Sequence, residues 1–188
     1  SGATSGMTVS TVAVGSWPGL TAAAWVKLTT NGLSNRTIVA SSHFRVQARS
    51  VGGRVGYTLD STATGGGCSI VTPLVYPLGG WVHVALVMDP AATTNRLFVN
   101  GQTAGACVGT ASLGDTAFTV GIDTLSAIGG TDVFQGLLDE VRLFSAALST
   151  AQVQSERDGS PLGVFFSSSA GASWTAAAST RTAGAYLA

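Results

Sequence analysis

The chain has 188 residues, with nine basic and nine acidic side chains, so its formal net charge is zero and only 10% of it is charged. A neutral surface offers a phosphate backbone nothing broad to grip, which argues against nucleic acid as the partner. There is no run of eighteen apolar residues, so no membrane-spanning helix is expected, although the mean hydropathy of +0.38 is high for a soluble monomer.

Twenty-five glycines, with short Val/Thr/Ala-rich runs between Gly, Ser and Asn turns, point to an all-β sandwich. In chain order, strands are expected near 7–14, 20–28, 36–41, 44–50, 54–60, 69–75, 81–89, 96–99, 102–108, 117–122 and 134–144. Asn100-Gly101 joins two β-runs directly, the strongest short hairpin signal, because both residues tolerate positive φ. In the last strand Leu137, Val141 and Leu143 are assigned to one face, and Leu138, Glu140, Arg142 and Phe144 to the other. Ser149 and Gln152 form a capping box for one short helix over 149–158, which Gly159 ends. The first domain is therefore expected to span 1–159. The tail, 160–188, is low in charge, rich in Ser, Ala, Gly and Thr, and has Arg181 as its only charged side chain. It is expected to add strands to the sandwich or its edge, to form an arm that pairs with a neighbouring subunit, or to serve as a linker. The chain opens at Ser1, so a mature product or an excised portion is expected.

Cys68 and Cys107 lie in separate β-regions. An even count in a loop-rich β chain suggests a disulfide and an oxidising, extracellular setting; two buried thiols that merely pack are the alternative. The sequence offers little to a catalyst. It has two glutamates, Glu140 and Glu156, and Asp139 and Glu140 are neighbours on a strand, so their side chains are expected on opposite faces. No nucleophile elbow, paired-histidine zinc motif or phosphate-binding loop is present, and no enzyme activity is expected. Asp115, Asp123 and Asp132 could gather a cation but read more readily as turn residues.

Candidate ligand-binding residues come from the loops and strand faces. Trp17, in Gly15-Ser-Trp-Pro-Gly19, lies in a turn-forming segment where a sugar ring could stack on it, and Tyr57, Tyr76 and His43 could join it. The alternative is that Trp17 caps the end of the sandwich. Arg36, Arg45, Arg49 and Arg54 lie in or beside neighbouring strands and could fork onto carboxylated or hydroxylated sugars, or simply form a solvated face.

Three stretches carry a family resemblance. Leu20-Thr-Ala-Ala-Ala-Trp-Val-Lys-Leu28 comes first, and the second is Trp81-Val-His-Val-Ala-Leu-Val-Met-Asp89 with Arg96-Leu-Phe-Val-Asn-Gly-Gln102. The third is Gly136-Leu-Leu-Asp-Glu-Val-Arg-Leu-Phe-Ser-Ala-Ala-Leu-Ser-Thr-Ala-Gln-Val153. In that order they resemble the motifs of laminin G-like domains of the concanavalin A-like superfamily. The resemblance implies an antiparallel two-sheet jelly roll with one short C-terminal helix, and it matches Trp25 and Trp81 to core tryptophans. It also implies Asp139 as the position most similar to a calcium ligand in relatives, although the partner carboxylates have no counterpart before Asp60. The Glu-x-Asp-x-x-Glu set of the superfamily's glucanases is missing. Two functions follow as expectations. One is a non-catalytic recognition or adhesion module that binds a glycan or surface protein, on a secreted, cell-surface or phage-tail protein. The other is a structural or decoration subunit of an extracellular or viral assembly, built through 160–188.

Overall fold

A computed structural model describes residues 7–10, 17–61, 67–109, 113, 117–123, 133–159, 164–166 and 175–177. Its strands are β1 (Met7–Ser10), β2 (Leu20–Leu28), β3 (Gly32–Ala40), β4 (Phe44–Val51), β5 (Arg54–Ser61), β6 (Cys68–Val71) and β7 (Tyr76–Pro77). They continue with β8 (Val82–Asp89), β9 (Thr94–Val99), β10 (Gln102–Val108), β11 (Ala117–Val120) and β12 (Gly136–Phe144). After the helix α1 (Thr150–Arg157) come β13 (Val164–Phe166) and β14 (Thr175–Ala177).

Two antiparallel sheets form the expected sandwich. A seven-stranded sheet runs β1-β11-β3-β4-β5-β6, with β7 also paired to β5, and a five-stranded sheet runs β10-β9-β8-β2-β12. Alternation sets what each sheet buries. Leu20, Ala22, Ala24, Val26 and Leu28 of β2 meet Phe44, Val46 and Ala48 of β4 and Val55, Tyr57 and Leu59 of β5 in one core. A second, smaller core lies on the outer face of the five-stranded sheet, where Leu148 and Val153 cover Ala23, Ala85, Val87 and Phe98.

The helix begins and ends as the sequence predicts. Ser149 Oγ accepts from the Gln152 amide and Gln152 Oε1 accepts from the Ser149 amide, while Gly159 adopts φ +74° beyond the last turn. Asn100 and Gly101 both have positive φ (49° and 73°) and close the β9–β10 hairpin at Val99 and Gln102.

The two sheets are stitched at one side. Cys68 on β6 and Cys107 on β10 form a disulfide with Cα atoms 5.9 Å apart, within the ordinary span of such a bond. A Cβ at Gly105 of β10 would collide with Ile70 of β6, so glycine lets the two edge strands approach.

Four expectations need correction. Trp25 lies on the outer face of β2 with Ala23, not between the sheets; its ring is half-buried and edge-on to His83, with centroids 5.5 Å apart. Trp81 is likewise half-buried, with Lys27 Nζ 6.0 Å above its ring. In β12 Leu138, rather than Leu137, packs on the core with Val141 and Leu143, and Leu137 is exposed. The cause is a bulge between Asp139 and Arg142, at which Glu140 adopts φ +49° and one extra residue changes the alternation. Finally, the strand expected over 69–75 is broken into β6 and β7, because Pro73 has no N–H to continue the ladder.

Most of the tail, 160–188, lies outside the described residues. Within it, β13 and β14 pair with each other as a separate two-stranded sheet.

Candidate functional site

The β4–β5 hairpin has an unbroken register from Phe44–Ser61 to the Val51–Arg54 pair at its Gly52-Gly53 turn. Its inward residues are apolar, so every second residue on each strand faces outward. Those positions are Arg45, Gln47 and Arg49 on β4, and Arg54, Gly56, Thr58 and Asp60 on β5. The outer face of the seven-stranded sheet is therefore polar across adjacent strands.

Cross-strand pairing sorts these groups into rows. In the first, Arg45 lies opposite Asp60, which lies opposite Ser69 of β6. Arg45 Nε donates to Asp60 Oδ2 at 3.3 Å, Ser69 Oγ donates to Asp60 Oδ1 at 2.7 Å, and Arg45 Nη1 is 4.0 Å from Asp123 Oδ2. In the second row Thr37 of β3, Gln47 and Thr58 follow one another, and Gln47 Nε2 donates to Thr37 Oγ1 at 3.2 Å. Gln47 and Thr37 are fully buried and Thr58 is 5% exposed. Among the described residues Thr58 Oγ1, Thr119 Oγ1 and Arg49 Nε are buried without a hydrogen-bond partner, which is uncommon in a native fold. At the far end, a Cβ on Gly56 would lie 3.1 Å from Thr72 O and 3.0 Å from Pro73 O, so the Thr72–Val75 segment walls the face there.

The residues singled out from the sequence separate into three places. Arg45 lies on the polar face near the start of β4 and His43 just precedes that strand; the His43 amide donates to Ser41 Oγ, and its ring Nδ1 is 3.0 Å from Ser42 Oγ. Tyr57 and Tyr76 point between the sheets, with ring centroids 5.6 Å apart. Tyr57 is 1% exposed, so it cannot stack on a ligand, and burial first, then the neighbouring Tyr76, pushes its phenol well above the ordinary tyrosine range. Burial raises the Tyr76 phenol too. Trp17 is half-buried against the main core. Of the four arginines, Arg36 turns inward to Gln135 Oε1, at 3.2 Å from Nε, whereas Arg45, Arg49 and Arg54 share the outer face.

Asp139 lies at the β12 bulge, where its Oδ1 accepts the Glu140 amide at 2.8 Å. Among the described residues no group of three or more His, Cys, Asp or Glu side chains gathers there or elsewhere. Asp115 and Asp132 lie outside the described residues, and Asp123 faces Arg45. Glu140 and Glu156, separate in the sequence, both reach Arg142: Glu140 Oε2 is 3.2 Å from Nη2, and buried Glu156 accepts from Nη1. This arrangement ties α1 to β12.

The sequence reading missed Asp60, Ser69, Gln47, Thr37 and Thr58. A signal for most of them was present: polar residues alternate on both strands flanking Gly52-Gly53, and a tight hairpin places such residues side by side.

A family model described as belonging to the concanavalin A-like lectin/glucanases superfamily, of laminin G type, matches residues 1–154. Among solved structures, a native heptameric SAP-like pentraxin from Limulus polyphemus superimposes with TM-score 0.59 and 20% identity, over 75% of this chain and 70% of that one. The CBM40 domain of Ruminococcus gnavus IT-sialidase, bound to alpha2,3 sialyllactose, gives TM-score 0.57 and 15% identity over 77% of this chain and 85% of that one. Domain 4 of AbnA, an extracellular GH43 arabinanase from Geobacillus stearothermophilus, in complex with arabinotriose, gives 0.53 and 19% over 74% and 66%. No curated protein sequence matches the chain.

Proposed function

We propose, given that the chain belongs to the concanavalin A-like lectin/glucanases superfamily, that it is a non-catalytic glycan-binding module whose ligand lies on the outer face of β4 and β5. The observation that carries this reading is the partly exposed polar row of Arg45, Asp60 and Ser69, backed by the buried Gln47–Thr37 pair. A saccharide presents hydroxyls that donate and accept together. This face answers with the guanidinium donors of Arg45 and the carboxylate acceptors of Asp60. Two of the structural neighbours hold saccharides, which supports the same class of ligand. The disulfide supports an extracellular setting.

The test is a binding screen of the purified chain against a broad glycan and cell-wall polysaccharide panel, with calcium and with chelator. Saturable binding is expected, lost on Arg45→Ala or Asp60→Ala and retained with chelator. Loss on Trp17→Ala alone would move the ligand to the end of the sandwich. Loss on chelation would return calcium, at Asp139, to the account. A folded protein that binds no glycan in either arm would overturn the reading.

A further inference from the structure

We infer that the glycan is acidic, and that its carboxylate is held at the Gly52-Gly53 end of the same face by Arg49 and Arg54. This inference rests on the glycan-binding reading above. Charge is compensated at one end of the face and not at the other. Arg45 has Asp60 and Asp123, whereas among the described residues neither Arg49 nor Arg54 takes part in an ion pair. Arg49 lies opposite Gly56 and Arg54 opposite Val51, so the two guanidinium groups start from diagonal positions on one face, typically about 7–8 Å apart. Two like charges so close, with no acidic side chain at the adjoining outward positions Gln47, Val51 and Thr58, make a cationic end on a chain whose net charge is zero.

Burial sharpens the argument. Arg49 is half-buried, its Nε is out of solvent, and among the described residues no acceptor meets that N–H. Taking a guanidinium N–H from water without an acceptor is costly, and an anion at this position would remove that cost. Thr58, diagonal to Arg49, adds a buried hydroxyl with no partner of its own. Arg54 is anchored through Nη1 to the Val75 carbonyl at 3.3 Å, which leaves its remaining donors to face a ligand. A planar fork matches a carboxylate in two parallel hydrogen bonds, which a hydroxyl cannot reproduce. Around the cationic end, Val51, Val71 and Val75 are 40%, 54% and 54% exposed. Exposed methyl groups beside a charged floor suit a sugar acid, whose ring also presents C–H surface.

The experiment compares matched ligands by calorimetry on the intact, oxidised chain: oligogalacturonate against its methyl ester, and sialyllactose against lactose. At least one acidic member is expected to bind about tenfold or more tightly than its uncharged partner, the worth of one charge-assisted contact. Arg49→Gln, checked for an unchanged melting temperature, should abolish that preference. Arg54→Gln gives the same readout should the first variant not fold. Arg45→Ala should weaken both members of a pair alike. Equal affinity for acidic and neutral members, or a preference that survives both glutamine variants, would overturn the inference and leave the glycan reading intact. Absence of binding to any saccharide would overturn both.

Discussion

The stitch between the two sheets can be tested quantitatively by replacing both cysteines, Cys68→Ser with Cys107→Ser. The bond closes a loop across a sequence separation of 39 residues. Loop-closure entropy for about 40 residues is roughly 13 cal/mol/K, so the double variant should lose about 4 kcal/mol at 25 °C. For a domain of this size that corresponds to a fall of roughly 8–16 °C in Tm, at about 2–4 °C per kcal/mol. Urea unfolding followed by tryptophan fluorescence provides the assay, on the oxidised chain, the same chain with reductant, and the serine variant. The oxidised chain should also show the smaller m value, because a cross-linked unfolded state exposes less surface, whereas the other two should coincide. A loss below about 1 kcal/mol with an unchanged m value would refute the reasoning, since the entropy of a loop this long cannot vanish if the bond is formed.

Two further outcomes are expected. Replacing Arg142 by Met should cost about 3–5 kcal/mol, because it breaks the buried ion pair with Glu156, and Arg142→Met with Glu156→Leu should recover most of the loss in a double-mutant cycle read by chemical denaturation. The raised phenol of Tyr57 makes stability depend on alkaline pH: it is fully present below about pH 10, where the unfolded tyrosine titrates, and is lost as pH rises above that, since only the unfolded chain then ionises freely. Melting temperatures measured from pH 8 to 11 should fall less steeply for Tyr57→Phe than for the parent; parallel curves would contradict the buried position.

Much of the fold could be read from local signals. The Ser149–Gln152 box and the Asn100-Gly101 turn are settled by interactions within four residues, so the sequence and the structure agree. The bulge at Glu140 was not legible, since no residue type announces a left-handed glutamate and the strand's apolar pattern fits both faces. Periodicity told which residues share a face but not which face meets the other sheet. Trp25 and Tyr57 were therefore placed on the wrong sides: the large indole lies outside, whereas the phenol offered to a ligand fills the core. The polar lattice required knowing that β4 and β5 pair without a slip, so that Arg45 meets Asp60 and Gln47 meets Thr58.

That same unslipped hairpin has a consequence for engineering. Its eighteen residues, Phe44 to Ser61, form one contiguous cassette in which the even positions of β4 and the odd positions of β5 build the core, while the alternate ones face outward. A combinatorial library could randomise Arg45, Arg49, Arg54 and Asp60 from a single oligonucleotide and leave Phe44, Val46, Val55, Tyr57 and Leu59 untouched. Specificity and foldability are thus written in alternate letters of one short stretch, and new binding preferences can be selected without redesigning the scaffold.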